Sequence, residues 1–277
     1  MTCNQPLVSI ITPSFNQGEF IEQTILSVLG QDYPHIEYIV IDGGSTDQTL
    51  EILRKYGEQL TWVSEPDEGQ SDAVNKGFRL ARGDIVGWIN ADDVYFDHSA
   101  VEKVVKAFLD HPEADVVYGD FVEIDREGRI TRIYPVPDFN YARLLRMNFV
   151  PQCTVFFRSK IARQYELDTS LEFVLDSDLF IRLGQKHTFY HRPELLACFR
   201  RHTSSKLHYL GDDLYQAERR LLRERYGVSK DWRYYLGRLG DRACMALLKA
   251  KGKWMQWRMK RESVSYKDLQ VMQSEKD

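Results

Sequence analysis

The chain has 277 residues, of which 43% are hydrophobic and 28% are charged, and its formal net charge at pH 7 is -4. These values are typical of a globular α/β protein, either one domain with an extension or two small domains, and they give no whole-chain reason to expect nucleic-acid binding. No apolar run approaches the roughly 18 residues of a spanning helix, and the N-terminus lacks the features of a signal peptide. We therefore expect a cytoplasmic location.

The first part of the chain alternates short apolar runs with helical periodicity. Strands are predicted at residues 7–12, 36–41, 60–64 and 85–89, and helices from about residues 20, 46, 71 and 97. Pro13 is expected to end the first strand, because proline cannot extend a central ladder. Such β-α-β units predict a parallel sheet, in which ligands bind at the carboxyl ends of the strands.

The fourth predicted strand ends in two adjacent carboxylates, Asp92 and Asp93. Paired aspartates repel each other, so a folded chain keeps them together mainly where a cation or a polar ligand compensates their charge. Hard oxygen ligands suit Mg²⁺ or Mn²⁺, whose coordination is then completed by substrate phosphates. From these residues alone, the alternative of a helix cap or surface turn before the next helix is the one that the local sequence favours.

After residue 110 the pattern changes to one that favours a mixed sheet. Strands are predicted at residues 116–120, 122–125, 130–134, 154–158, 188–191 and 195–199, with a helix at residues 141–147 and an acidic entry to an apolar helix at residues 172–184. The four cysteines lie far apart and have no zinc-ligand spacing, so we expect reduced thiols. They are Cys3, Cys153, Cys198 and Cys244.

Beyond about residue 207 the composition becomes helical, basic and aromatic, with one predicted helix around residues 214–226 and another at residues 241–261. Such a segment can lie on an anionic membrane surface or dock on a partner. The alternative is a helix that packs back on the domain with its charges solvated. Residues 262–277 are polar and are expected to fray.

Five motifs, in their order and spacing, resemble those of the family 2 glycosyltransferases. They are residues 13–16 (PSFN), 42–47 (DGGSTD), 65–70 (EPDEGQ), 90–93 (NADD) and 175–179 (LDSDL). The resemblance covers about residues 6–206 and implies an inverting enzyme that uses a sugar nucleotide. The implied fold is GT-A, a Rossmann-like, mixed but mainly parallel α/β sheet flanked by helices. Residues 1–206 would form this domain, and residues 207–277 a helical extension.

The resemblance also implies a nucleotide site at the strand ends. Pro13, Ser14 and Asn16 match the loop whose backbone faces the nucleotide. Asp42 matches the acid that accepts a hydrogen bond from the base, which is uracil in the best-known members. Other positions that match the nucleotide or sugar site are Gln70, Asp72, Lys76, Asn90, Ala91 and Asp92. The structural alternative is a simple βα turn for Pro13, Ser14 and Asn16, and a capped surface helix for Gln70, Asp72 and Lys76.

Asp92 and Asp93 match the family's metal-binding motif, although Asn90 occupies a position that is often Asp, so that either carboxylate could contact Mn²⁺ or Mg²⁺. The ion would bridge the two phosphates of the donor. His202, beside Arg200 and Arg201, matches the closing segment that reaches back to the diphosphate or the metal. A lone surface histidine is the alternative.

Asp176 matches the second residue of the family's Glu-Asp pair and would deprotonate the acceptor hydroxyl as that oxygen attacks the anomeric carbon. Leu175 replaces the usual Glu, which leaves Asp178 as a rival base. The structural alternative for Asp178 is an acid at a helix N-terminus. Gln152 and Asp178 are assigned to the acceptor side.

We therefore predict a metal-dependent transferase of a hexosyl or N-acetylhexosaminyl group. The donor would be a UDP-sugar and the acceptor a carbohydrate or lipid-linked carbohydrate, in cell-surface polysaccharide or glycolipid synthesis, with peripheral membrane contact through the extension. One alternative is a sugar-nucleotide nucleotidyltransferase, which usually needs a basic triphosphate loop, whereas residues 13–18 contain no Lys or Arg. Another is a non-catalytic nucleotide-sugar-binding scaffold, which Leu175 and Asn90 would permit.

Overall fold

The structure is a computed structural model that describes residues 5–203 and 211–261. The strands are β1 Val8–Ser14, β2 Ile36–Asp42, β3 Thr61–Ser64, β4 Ile85–Trp88, β5 Val94–Tyr95, β6 Val116–Ile124, β7 Ile130–Tyr134, β8 Phe156–Arg158 and β9 Phe189–Arg200. The helices are α1 Ile21–Leu29, α2 Thr49–Lys55, α3 Gln70–Leu80, α4 Ala100–Asp110, α5 Tyr141–Arg146, α6 Ser159–Ala162, α7 Leu175–Gly184, α8 Asp212–Arg225 and α9 Trp232–Arg261.

The strands of the described ranges form one mixed sheet in the order β3-β2-β1-β4-β8-β6-β9-β5, with β7 paired to β6. The strands β3, β2, β1 and β4 are parallel to one another. Strand β8 runs antiparallel to β4 and β6, whereas β6 and β9 are parallel. The predicted mixed, mainly parallel sheet is confirmed.

Both faces of the parallel half are buried, which explains its nearly continuous apolar runs. On one face, Ile11 and Ile39 pack with residues of α3 and α7. On the other face, Ile10 and Val40 pack with residues of α1 and α4. Helix α3 lies very close to the sheet, because a Cβ on Gly77 would approach Ile11 to 2.4 Å.

The expectation that Pro13 ends the first strand is wrong, since β1 continues through Pro13 to Ser14. Pro13 is paired with Ile41 of β2, whereas the pairing of β1 with β4 ends at Ile11. The carbonyl oxygen of Ile11 accepts a hydrogen bond from the N–H of Ile89 and so points toward the β4 side of β1. The backbone nitrogen of Pro13, two residues further along the strand, points toward the same side. The N–H that proline lacks would therefore point to where β4 has already ended.

Two predicted strand pairs are single strands. Residues 116–124 form β6, with irregular register against β9 around Asp120, and residues 188–199 fall mainly within β9. A Cβ on Gly119 would lie 2.5 Å from Leu196. The glycine therefore allows the two strands to stay together where their register changes.

Helix α9 starts at Trp232, well before the predicted residue 241, and packs along β7 and α5. A Cβ on Gly252 would lie 2.3 Å from the carbonyl oxygen of Ile133, so helix and strand are in close contact. In the described ranges, no helix is both long and apolar enough to cross a bilayer. The predicted boundary at residues 206–207, the frayed segment 262–277 and Cys3 lie outside the described residues.

Candidate active site

A cavity of about 1460 Å³ lies at the carboxyl ends of β1, β2 and β4. Its walls include residues from all five sequence motifs and from the segment after β9. The predicted site residues that line it are Pro13, Ser14, Gln70, Asn90, Ala91, Asp92, Gln152, Asp176 and His202. Those that contribute nothing to its walls are Asn16, Asp42, Asp72, Lys76, Asp93 and Asp178.

Asp42 and Asn16 join the loops after β1 and β2. Asn16 has a positive φ of 51°, its N–H donates to the hydroxyl of Ser45 at 2.7 Å, and its side-chain oxygen accepts from Thr46 at 2.9 Å. The buried carboxylate of Asp42 accepts from the backbone and hydroxyl of Ser45 and from the hydroxyl of Ser64. These contacts order the loops instead of presenting Asp42 to the cavity.

Asp67 is a cavity residue that the sequence analysis did not single out, although it belongs to the motif at residues 65–70. A Cβ on Gly43 would lie 2.6 Å from its carboxylate, and both residues line the cavity. Burial raises the pKa of Asp67 above its usual value. The loops after β2 and β3 thus place a half-buried carboxylate beside the β2 end.

Three predicted polar residues meet in one network at the end of β4. Gln70 donates to the side-chain oxygen of Asn90 at 2.8 Å, and Asn90 donates to Gln152 at 3.2 Å. Gln152 in turn donates to the carbonyl oxygen of Trp88 at 2.7 Å. Residues far apart in the chain are thereby held in one wall of the cavity.

Asp72 and Lys76 lie on the outer side of α3. Their side chains form an ion pair at 3.2 Å, and Lys76 also pairs with Glu65 at 2.9 Å. Asp72 accepts a hydrogen bond from the backbone of Glu68, just before the helix begins. These contacts favour a structural role at the surface of α3 for both residues, although the helix has no side-chain cap at Gly69.

The two adjacent acids after β4 have different surroundings. Asp92 Oδ2 lies 3.0 Å from Nε2 of His202, and its side chain is 21% exposed. Asp93 is 1% exposed, and its Oδ1 accepts from the backbone N–H of Arg200 at 2.9 Å. Burial, with the neighbouring charge of Asp92, raises the pKa of Asp93 well above its usual value. Only Asp92 presents its carboxylate to the cavity.

The two arginines before His202 also differ. Arg200 is fully buried, and its guanidinium donates to the carbonyl oxygen of Asp92 at 2.9 Å and to Gln23 at 2.8 Å. Arg201 lines the cavity, and its side chain is 61% exposed. Arg200 therefore holds the acidic turn in place, whereas Arg201 pairs with Glu123, another cavity residue, at 3.4 Å.

The surroundings of His202 fit a divalent cation that is completed by ligand phosphates. Its side chain is 1% exposed and lies against the ring of Phe20, with a centroid distance of 4.5 Å. Its Nδ1 is buried without a hydrogen-bond partner among the described residues. No group of three or more His, Cys, Asp or Glu side chains converges as a metal site in residues 5–203 and 211–261. Asp92 and His202 thus supply two donors, and phosphate oxygens suit the other positions.

Asp176 stands at the start of α7 and lines the cavity. One of its oxygens accepts from the backbone of Ser177 at 2.6 Å, and the other accepts from Asn148 at 3.0 Å. Burial raises the pKa of Asp176 to about 6, against the opposing effect of these hydrogen bonds. A carboxylate with this pKa is ionised near neutral pH and still basic enough to accept a proton.

Asp178 lies on the opposite side of α7 and is 1% exposed. Its carboxylate accepts from Arg182 at 2.8 Å, from Arg225 at 2.8 Å and from the hydroxyl of Tyr226 at 2.6 Å. These partners tie α7 to α8. The contacts favour a structural role for Asp178 over a role as base or acceptor contact.

Comparison with solved structures identifies the fold as GT-A. TarS of S. aureus, solved with UDP-GlcNAc, matches with a TM-score of 0.64 and 19% identity, over 81% of this chain and 68% of that chain. The mannosyltransferase PcManGT of Pyrobaculum calidifontis, solved with GDP-Man and Mn²⁺, matches with a TM-score of 0.56 and 18% identity, over 98% and 85%. The predicted fold class is therefore confirmed.

The sequence model of Glycosyl transferase family 2 matches residues 9–165, and the chain belongs to this family. An uncharacterized glycosyltransferase of Rickettsia prowazekii is 29% identical over 210 residues, which are 72% of this chain and 65% of that protein. Chondroitin synthase of Pasteurella multocida is 29% identical over 204 residues, 71% of this chain and 20% of that protein. The chain thus spans just under two thirds of the rickettsial relative and a much smaller part of the synthase.

Proposed function

We propose that the chain is an inverting glycosyltransferase that moves a sugar from a nucleoside diphosphate to an acceptor hydroxyl. The observation that carries the proposal is that Asp176, with a pKa near 6, shares one cavity with Asp92 and His202. A base and a pair of metal donors in one cavity match the needs of this reaction, which are deprotonation of the acceptor and a stabilised leaving group.

The nucleotide would lie between the ends of β1, β2 and β3, against Pro13, Ser14, Gly43 and Asp67. Asp67 is the carboxylate that faces the cavity here, so we assign the contact with the base to Asp67 and a supporting role to Asp42. A UDP-sugar is the proposed donor, which the complex of TarS with UDP-GlcNAc supports. The GDP-Man complex of PcManGT makes GDP the comparison to test.

Asp92 and His202 would hold the divalent cation. When bound, such an ion neutralises the charge that develops on the leaving diphosphate. Imidazole nitrogens suit transition metals, so this pair favours Mn²⁺ over Mg²⁺. Arg201, which pairs with Glu123 at 3.4 Å, would exchange this partner for a phosphate, and Arg200 holds the backbone of Asp92 through the hydrogen bond to its carbonyl oxygen.

Asp176 would accept the proton of the acceptor hydroxyl. As that proton moves to the carboxylate, the acceptor oxygen forms a bond to the anomeric carbon, and the bond from this carbon to the diphosphate breaks. Attack opposite the leaving group inverts the configuration in one displacement. Ser177 and Asn148 orient the carboxylate through the hydrogen bonds at 2.6 and 3.0 Å.

The acceptor is proposed to be a carbohydrate or lipid-linked carbohydrate. Relatives named chondroitin synthase, hyaluronan synthase and O-antigen biosynthesis protein support a role in polysaccharide synthesis. Partly or largely exposed aromatic side chains suited to packing against sugar rings line the cavity, and they are Phe15, Phe121, Tyr134, Phe173 and Phe199. A cytoplasmic location and a division into a GT-A domain, residues 1–206, and an extension, residues 207–277, remain part of the proposal.

The test combines binding and turnover. We expect calorimetric titration to show UDP binding with Mn²⁺ that EDTA abolishes, and chromatography to show slow UDP release from UDP-GlcNAc with water as the acceptor. Asp92→Asn should weaken the Mn²⁺-dependent binding by about 100-fold, whereas Asp176→Asn should bind UDP and release it from the donor about 1000-fold more slowly. GDP and GDP-Man provide the matched comparison for the base.

Asp110→Asn is the control variant, because Asp110 is an exposed aspartate at the end of α4. It should behave as the wild type in both assays. Absence of nucleotide binding under every condition would overturn the proposal. Nucleotide binding with no donor hydrolysis, with or without Mn²⁺, would favour a non-catalytic scaffold.

A further inference from the structure

Helix α9 has an inner face that packs on the domain. Asp241 is buried and accepts hydrogen bonds from Arg143 and Arg146 of α5. Further along, Gly252 contacts β7, and Gln256 donates to the carbonyl oxygen of Thr131 at 2.8 Å. At about 100° per residue these three positions of α9 fall within roughly 60° of one another around the helix axis. One side of the helix is therefore committed to the rest of the molecule.

The opposite face of α9 is apolar and exposed. Its large side chains, with exposed fractions between 55% and 75%, are Trp232, Leu236, Leu239, Leu247, Trp254 and Trp257. At about 100° per residue these positions fall within roughly 80° of one another around the helix axis. Exposed alanines at positions 243, 246 and 250 continue the same stripe. We call this set of residues the outer face.

Basic side chains flank the outer face on both sides. By the same helical geometry, one edge carries Arg242, Lys249 and Lys253, and the other carries Arg233, Lys251 and Arg258. Helix α9 contains nine Lys and Arg residues and a single acidic residue, the inward-facing Asp241, in a chain whose net charge is -4. Positive charge is therefore concentrated at the borders of an exposed apolar stripe.

A helix that only packs on a domain places its charges at the centre of its solvent face. In α9 that centre is occupied mainly by Trp and Leu, while most of the basic residues stand at the two borders. Helices that lie in the interface of a bilayer have this arrangement, with apolar side chains in the acyl boundary and cations at the headgroups. We propose that the outer face of α9 binds an anionic phospholipid surface.

The position of α9 gives this docking a consequence for the cavity. Met245 of α9 lines the same cavity as Asp176 and Asp92. A helix with its side chains is about 10 Å across, so a lipid surface on the outer face lies about one helix diameter from the cavity wall. Docking thus places the cavity beside the membrane, where an acceptor attached to a lipid would be found.

Vesicle binding tests the proposal without a donor or an acceptor, so its outcome is independent of the proposed transferase activity. The full chain is mixed with vesicles of phosphatidylcholine alone or with phosphatidylglycerol, and bound protein is measured by flotation. We expect binding to the anionic vesicles only, and at least tenfold weaker binding for the double variant Leu239→Glu, Leu247→Glu. High salt should weaken the wild-type binding.

The matched control is Leu80→Glu, Leu109→Glu, which introduces the same charges at two exposed leucines of α3 and α4. It should bind vesicles as the wild type does, and both double variants should keep the wild-type melting temperature because no buried group is changed. No binding of wild type to anionic vesicles, or equal losses in both variants, would overturn the proposal. So would a wild-type dimer that Leu239→Glu, Leu247→Glu converts to a monomer without any vesicle binding.

Discussion

The acidic turn after β4 and the start of α7 each carry two aspartates, and in each region the two acids have opposite surroundings. Asp92 and Asp176 line the cavity, whereas Asp93 and Asp178 are each 1% exposed. Asp93 accepts from a backbone N–H, and Asp178 accepts from two arginines and a tyrosine. One acid of each pair is thus available to a ligand, while its neighbour supports the structure.

The two buried acids differ in how their charge is compensated. Arginine side chains pair directly with Asp178, so its removal should mainly cost stability. Asp93 has no side-chain cation within bonding distance among the described residues, and its pKa is raised by burial. Each of the four aspartates can be replaced by asparagine, which has a similar shape and no charge. The four variants therefore test the roles of the two cavity acids and the two buried acids separately.

The largest expected effect is that of Asp176→Asn on turnover. An amide cannot take the acceptor proton, so we expect kcat to fall by about 1000-fold, within the usual range for loss of a general base. UDP release from the donor measures the rate, and calorimetry should show unchanged UDP binding. Turnover within tenfold of the wild type would remove Asp176 from the mechanism.

Asp178→Asn should affect stability. The substitution removes the buried negative charge that pairs with Arg182 and Arg225, and we expect the free energy of unfolding to fall by about 3 kcal/mol. Urea denaturation measures it. Asp168→Asn is the matched control, since Asp168 also pairs with Arg225 at 2.8 Å but is 28% exposed; it should cost less than about 1 kcal/mol. Equal losses would contradict the structural role of Asp178.

Asp92→Asn and Asp93→Asn compare two adjacent acids. We expect Asp92→Asn to weaken Mn²⁺-dependent UDP binding by about 100-fold, and Asp93→Asn to weaken it by at most about tenfold, as for a residue that only supports a ligand. The amide oxygen that the second substitution introduces can still accept from the backbone N–H of Arg200. Titration of UDP at saturating Mn²⁺ measures both. The reverse order would make Asp93 the metal contact.

The smallest expected effect is the pH dependence of turnover. Because the pKa of Asp176 is raised to about 6, the carboxylate is protonated at lower pH and cannot act as a base. We expect kcat/KM to be constant above pH 6 and to fall about tenfold for each pH unit below it. The residual rate of Asp176→Asn should lack this limb. A limb that persists in the variant would belong to another group.

Much of the fold could be predicted because strand and helix periodicities are local properties of the chain. The errors arose where distant contacts intervened. Pro13 remains in β1 because β4 ends early, and residues 116–124 form one strand because β9 supports them across an irregular register. Helix α9 likewise begins at Trp232 instead of residue 241. Its packing on α5 and β7 is a contact with distant segments that the periodicity of the basic segment does not reveal.

The sequence by itself determined the family, the order of the motifs and the acids from which the site is built, because these depend on residue types and their spacing. In α7 it also implied that Asp176 and Asp178 point about 200° apart, as any helix requires. Only the tertiary structure decided which of them faces the cavity, since α8 and the residue after it supply Arg225 and Tyr226 to one side. In the same way, Arg200 and Asp67 acquire their roles from segments far away in the chain, and such contacts leave no local pattern.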